Sequence, residues 1–280
     1  MDWCIVYLAS PKAFGRHEML KASLRIAKRC FPSTDVYIFH EDYTEEDIAD
    51  LPPVREFVRV DFSGFDDIYN PAVGRKGYLM MCRFFSGILQ ATPQLQSYSH
   101  YMRLDDDSFF LEPYITESHV RETMLTRDYV FRSLFHETKS QQGLYDFTLR
   151  FLMRNGVNPL RLRQIQASLV TRKIVTAEGI YTGLAPYNNF HVSRLSLWRH
   201  PLVTKYIQEI ESVGGILRHG WMDANIHAMI VFVFPYIISI RVVQDLWFGY
   251  RHNIHVSPLG VATIWIDESL PAVPPDVQSS

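Results

Sequence analysis

Three consecutive carboxylates, Asp105-Asp106-Asp107, stand between a β-rich apolar stretch, Tyr98 to Leu104, and a second apolar stretch, Phe109 to Leu111. Carboxylates are hard oxygen ligands that suit Mg²⁺ or Mn²⁺. A divalent ion held by them acts as a Lewis acid and neutralises the diphosphate that leaves when a sugar departs its nucleotide. If the strand continues through the cluster, its period of two puts Asp105 and Asp107 on one side, where they share one ion. An acidic surface turn is the competing reading. An imidazole ligand would tilt the preference towards Mn²⁺, and His252, in Phe248-Gly249-Tyr250-Arg251-His252, is the candidate nitrogen ligand among eleven histidines. Asp223 follows Trp221 and precedes the apolar run Ile226 to Phe234. At the mouth of buried structure, desolvation would make it a candidate general base; a helix N-cap is the alternative. His191, in Tyr187-Asn188-Asn189-Phe190-His191, reads as a hydrogen-bonded packing residue or as a second proton acceptor near neutral pH.

The elements that must position these residues follow from hydrophobic period. Cys4 to Ala9 reads as a buried strand, Arg16 to Arg29 as a helix with apolar spacing at Met19, Leu20, Leu24 and Ile26, and Val36 to Phe39 as a second strand. Strand, helix, strand in that order predicts a parallel pair. Thr44-Glu45-Glu46-Asp47 reads as a helix start, Val54 to Phe62 as extended chain, and Tyr78 to Gln90 as a helix. The segment Arg121 to Arg172 reads as helical and basic. Pro186 to Trp221 reads as a strand-like patch followed by an amphipathic helix, Pro201 to Val213, closed by Gly214-Gly215. The acidic cluster thus falls where a strand ends, the place at which open α/β sheets bind ligands.

Composition narrows the class. With 280 residues, 47% of them hydrophobic, one large mixed domain over residues 1–266 is expected, followed by a Pro- and Ser-containing disordered tail, 267–280. A net charge of −2 and scattered Lys and Arg give no field to draw nucleic acid. Cys4, Cys30 and Cys82 are too few for a disulfide framework and fit a reducing compartment. The longest apolar run, Ile226 to Ile240, is broken by His227 and Pro235 and falls short of a membrane span, so it reads as core. No Asn-X-Ser/Thr site occurs, which points away from the secretory lumen.

At these residues the chain resembles the fungal GDP-mannose-dependent α-1,2-mannosyltransferases, glycosyltransferase family 15, from about residue 4 to about residue 258. Tyr78-Leu79-Met80-Met81-Cys82-Arg83-Phe84-Phe85-Ser86-Gly87 resembles Y-x-x-M-C-R-F-x-S-G, and Tyr101-Met102-Arg103-Leu104-Asp105-Asp106-Asp107 resembles Y-W-R-V-E-P-D. Asn189-Phe190-His191-Val192 through Arg199 falls on N-F-E-I and L-D-F-F-R. Gly214-Gly215 with Trp221-Met222-Asp223-Ala224-Asn225-Ile226-His227 resembles G-G-F and W-G-D-A-P-V-H, and Gly249-Tyr250-Arg251-His252 resembles G-Y-H-H. The resemblance implies a GT-A-type α/β fold with a mixed, mainly parallel sheet flanked by helices. It also implies Mn²⁺ on Asp105, Asp107 and His252, Tyr78 and Arg83 with Asp105 and Asp106 on the donor side, and Asp223 beside the acceptor.

The departures from the family pattern carry expectations of their own. Its N-F-E glutamate is His191 here, a poor substitute for a carboxylate beside an oxocarbenium-like centre; its E-P-D proline is Asp106; its cysteines are Leu111 and Ser257, so its disulfides are absent. The function expected is transfer of a sugar from a nucleotide sugar to a glycan acceptor, an N-glycan or similar. It is either retaining with GDP-mannose or inverting with a UDP-sugar such as UDP-xylose and Asp223 as base. A carbohydrate-binding protein that lost the chemistry is the reading outside the enzyme class. The expected setting is soluble and cytoplasmic, in the manner of a virus-encoded glycosylation enzyme.

Overall fold

The computed structural model describes residues 2–11, 15–137, 141–244 and 248–252, and the backbone of 254–256 and 262–264. The expected 267–280 tail and Ser257 lie outside the described residues.

Alternation along β1 (Trp3–Ala9) feeds two cores: Cys4 and Val6 pack on one face of the sheet, and Trp3, Ile5, Tyr7 and Ala9 on the other. A strand buried on both faces reads as a continuous apolar run, as this one does. β1 pairs in parallel with β2 (Asp35–His40) and β4 (His100–Leu104), and β2 with β3 (Glu56–Arg59). Downstream come β5 (Phe109–Leu111), β6 (Tyr129–Phe131), β7 (Leu134–His136), β8 (Leu184–Pro186), β9 (Phe190–Arg194), β10 (Val242–Gln244) and β11 (Gly249–Arg251). The central sheet has seven strands in the order β10-β6-β9-β4-β1-β2-β3. Only β9 runs against its neighbours, β4 and β6, so the sheet is mixed and mainly parallel.

Helix α1 (Arg16–Cys30) covers one face through Leu20, Leu24 and Ala27, the helical spacing expected of it. α2 (Glu45–Ala49) starts at Thr44, whose side chain and Asp47 form a reciprocal capping box. On the other face lies α10 (Asp223–Phe232), buried along its whole length, as a helix apolar on every side must be. Among the described residues no helix is long and apolar enough to cross a membrane. The three cysteines are unpaired.

Two elements depart from expectation. The helix from Tyr78 is not continuous to Gln90: α3 (Lys76–Arg83) passes through a π-helical stretch, Phe84–Ile88, into α4 (Leu89–Ala91). The cause lies in Gly87, where a Cβ would come within 2.5 Å of Ile207 Cγ2. Ile207 sits on α9 (Pro201–Ser212), and that close approach bends the helix ladder there. The segment read as helical from Arg121 holds α5 (Glu117–Thr126), then β6 and β7, and only then α6 (Leu144–Arg154) and α7 (Pro159–Thr171). Tyr129-Val130-Phe131 is too short to show a period in sequence; its pairing with β9 and β10 makes it a strand.

Candidate active site

β4 ends at Leu104, and Asp105 to Asp107 form a turn closed by the Ser108 N–H donating to the Asp105 carbonyl at 3.0 Å. The strand therefore does not continue through the cluster, and alternation is not what brings Asp105 and Asp107 together. The turn does this instead, aided by the Asp105 N–H donating to the Asn189 carbonyl at 3.2 Å. β5 leaves the turn and pairs antiparallel with β11, Gly249 opposite Leu111 and Arg251 opposite Phe109. A Cβ on Gly249 would lie 2.6 Å from the Glu112 carbonyl oxygen and 2.7 Å from that of Leu111. Only glycine lets the two strands come this close, and that pairing sets His252 over the acidic turn.

His252 Nε2 lies 2.9 Å from Asp107 Oδ1 and 3.4 Å from Asp105 Oδ2, while its Nδ1 meets the Tyr187 hydroxyl at 2.7 Å. The three candidate ligand atoms lie within 4.8 Å of one another. Asp107 Oδ1 is buried, with the His252 imidazole 2.9 Å away. Three converging ligand atoms of this kind could share one cation, and two carboxylates with one imidazole suit Mn²⁺. The residues fit the ion. A partner on the second ring nitrogen, as Tyr187 is here, fixes the orientation of a metal-binding histidine.

The electrostatics agree with a site built for positive charge. Burial opposes charge on His252, but Asp105 and Asp107 outweigh it and push the imidazole up to about 9. Burial likewise works against ionised Asp105 and Asp107. Arg103 leads the groups that hold Asp105 below the usual range, and His252, then Arg16, do so for Asp107. Asp106 goes the other way: burial, with Asp107 and Asp105 beside it, pushes it up to about 7 against the pull of Arg16.

Asp223 is the first residue of α10 and is buried; Met222, not Asp223, is the N-cap. Its Oδ2 accepts from Arg103 Nη1 at 2.6 Å and from Asn188 Nδ2 at 2.9 Å. Arg103 is itself 2% exposed, reaches Asp105 at 3.0 Å, and lies over the Phe85 ring at 3.5 Å. It thus joins the acidic turn to Asp223. Tyr78 is exposed on α3, whereas Arg83 is turned elsewhere: its Nε donates to Glu211 at 2.7 Å and its guanidinium covers Phe65. His191 is fully buried with both ring nitrogens hydrogen-bonded, stacked on Tyr129. The structure gives it the packing position, not one open to a substrate.

Sequence reasoning missed Arg103, Arg16, Asn188 and Tyr187. Arg16 at the start of α1 bridges Asp106 (2.5 Å) and Asp107 (2.8 Å). One signal was available: Arg103 is a charge inside an otherwise apolar strand, and a buried charge must be paired. The other three have no local sign, since their partners are about 90 residues off for Arg16, 35 for Asn188 and 65 for Tyr187.

Residues 65–272 match the profile of the glycolipid 2-alpha-mannosyltransferase family. The chain belongs to this family. Among its relatives, O-glycoside alpha-1,2-mannosyltransferase homolog 2 of Schizosaccharomyces pombe is 24% identical over 181 residues, 64% of this chain and 46% of the relative. The chain spans about half the length of the curated relatives it matches. Core-mannan synthase A of Aspergillus fumigatus, solved in a Mn/GDP form, superposes with a TM-score of 0.73 at 19% identity, over 91% of this chain and 75% of that one. The mannosyltransferase Ktr4p of S. cerevisiae gives 0.71 at 20% identity, over 90% and 70%. The fold is that of GT-A-type glycosyltransferases.

Proposed function

We propose that this chain is a Mn²⁺-dependent glycosyltransferase that passes a sugar from a nucleoside-diphosphate donor to a hydroxyl of a glycan acceptor. GDP-mannose is the first donor to consider. The observation that carries the reading is the convergence of Asp105, Asp107 and His252, their ligand atoms within 4.8 Å of one another. The mannosyltransferase family and the Mn/GDP form of core-mannan synthase A support the donor class. When bound, the ion supplies Lewis-acid neutralisation of the leaving diphosphate. Asp105, Asp107 and His252 hold it, Tyr187 orients His252, and Arg103 keeps Asp105 and Asp223 in one frame. Tyr78 serves the donor side, with Asp106 and Arg16 flanking the diphosphate. Arg83 joins them only by leaving Glu211. Asp223 receives the acceptor proton on Oδ1, since Oδ2 is committed to Arg103 and Asn188.

A second reading has its own observation. The position of the family's glutamate holds His191, buried and with both nitrogens engaged, so a covalent double displacement finds no nucleophile there. An inverting transfer from a UDP-sugar such as UDP-xylose, with Asp223 as base, is consistent with that loss. Thermal stabilisation by a panel of GDP- and UDP-sugars, with and without Mn²⁺, tests both readings, because a ligand of the folded state raises Tm. GDP-mannose raising Tm only with Mn²⁺ supports the first; a UDP-sugar alone doing so supports the second; no nucleotide sugar doing so refutes both.

A further inference from the structure

We propose that His191, which stands where the family has a carboxylate, is a positioning residue. As a neutral imidazole protonated on Nδ1 it fixes Asn188 and, through Asn188, the Asp223 carboxylate. This rests on the proposed role of Asp223. Nδ1 lies 3.2 Å from the Asn188 carbonyl oxygen, which can only accept, so Nδ1 carries the proton. Nε2 lies 3.0 Å from the Tyr101 hydroxyl, and Gln90 Nε2 already donates to that hydroxyl at 2.9 Å. Tyr101 therefore gives its proton to a bare Nε2, and each group is satisfied once. The register agrees: on the sheet His191 stands between Arg103 of β4 and Phe131 of β6. Asn188, its backbone held by His191, sends Nδ2 to Asp223 Oδ2 at 2.9 Å, the oxygen that also accepts from Arg103.

A glutamate at 191 could not donate to the Asn188 carbonyl, so the change of residue type comes with a different local network, in which the imidazole holds the loop before β9. No other polar atom bonds His191 among the described residues, and no open surface reaches it.

Labelling with ¹⁵N-histidine should show His191 with one protonated and one bare ring nitrogen, unchanged across about pH 6 to 8. The Asn188 side-chain amide and Asp223 carboxylate resonances are then compared between two variants. His191→Gln can still donate to Asn188 and accept from Tyr101; His191→Phe keeps the ring on Tyr129 and loses both bonds. Should His191→Phe fail to fold, the ring tautomer of the wild-type protein still decides, because a proton on Nε2 alone overturns the proposal. Both resonances should move in His191→Phe and stay in His191→Gln. Turnover should follow, falling up to about 10²-fold in His191→Phe with donor KM unchanged, and recovering most of the loss in His191→Gln. Unmoved Asn188 and Asp223 signals in the variant lacking the bonds would overturn the proposal, as would a proton on Nε2 or equal loss of turnover in both His191 variants. If the wild-type enzyme turns over no donor, the resonances still decide the positioning role, and only the glycosyl-transfer reading falls.

Discussion

At the scale of single residues the site is a chain of charges running from His252 through Asp107 and Asp105 to Arg103 and Asp223. Removing an end ligand should remove the ion: Asp107→Ala and His252→Ala are expected to abolish Mn²⁺-dependent donor binding with the fold intact. Calorimetric titration of donor with and without Mn²⁺ checks this, and wild-type affinity in both would refute the ligand assignment. Tyr187→Phe, which leaves the ligands in place and frees His252 Nδ1, should weaken Mn²⁺ by about 10–100-fold. Asp223→Asn keeps size and removes basicity. Turnover should fall by about 10²–10⁴-fold with donor affinity little changed, while normal turnover would return the chain to a mechanism without this base. NMR of the product's anomeric configuration, read independently, separates retention from inversion.

At the scale of elements, His252 is placed by a strand pairing rather than by its neighbours in sequence. Gly249→Ala puts a methyl into the carbonyls of Leu111 and Glu112, and overpacking of this kind costs about 1–3 kcal/mol. The expected outcome is loss of Mn²⁺ affinity with circular dichroism unchanged, because β11 shifts and carries His252 off while the central sheet stays. Retained affinity would show that the pairing is not what delivers the imidazole. This is also where sequence reasoning was least complete. β1, α1, β2 and α2 were legible because each has its own period or cap. β6 and the break at Gly87 were not, since a three-residue strand has no period and the bend is caused by Ile207, about 120 residues away.

At the scale of the whole molecule, several polar rings are sealed inside. Burial lowers His191 well below the ordinary imidazole value and takes His227 and His100 down to about 4. In the unfolded chain each titrates near about 6.5. On account of these three rings the unfolded state binds more protons between about pH 6.5 and 4, so the stability they contribute is present above that window and lost as pH falls through it, opposed only in part by the single Asp106, whose value raised to about 7 favours the folded state as pH falls. Urea midpoints should fall steadily from pH 7 to pH 4.5, and His100→Phe should flatten the slope by about one proton's share. A midpoint that stays level over this range would contradict neutral burial of these rings.

What the sequence determined by itself was the set of chemistries: three adjacent carboxylates, a distant histidine, a carboxylate before a buried run, and five ordered segments resembling one family. Residue type and order are local properties, and they suffice for fold class and for the pool of ligands. What only the tertiary structure decided was which of these meet. Asp105 and Asp107 converge through a turn, not through strand alternation; Arg103 and Arg16 enter as partners; His191 is withdrawn into the core; Arg83 turns to Glu211. Apart from the turn, these outcomes depend on contacts between residues far apart in the chain, and a buried charge or ring takes its role from whatever the fold packs against it.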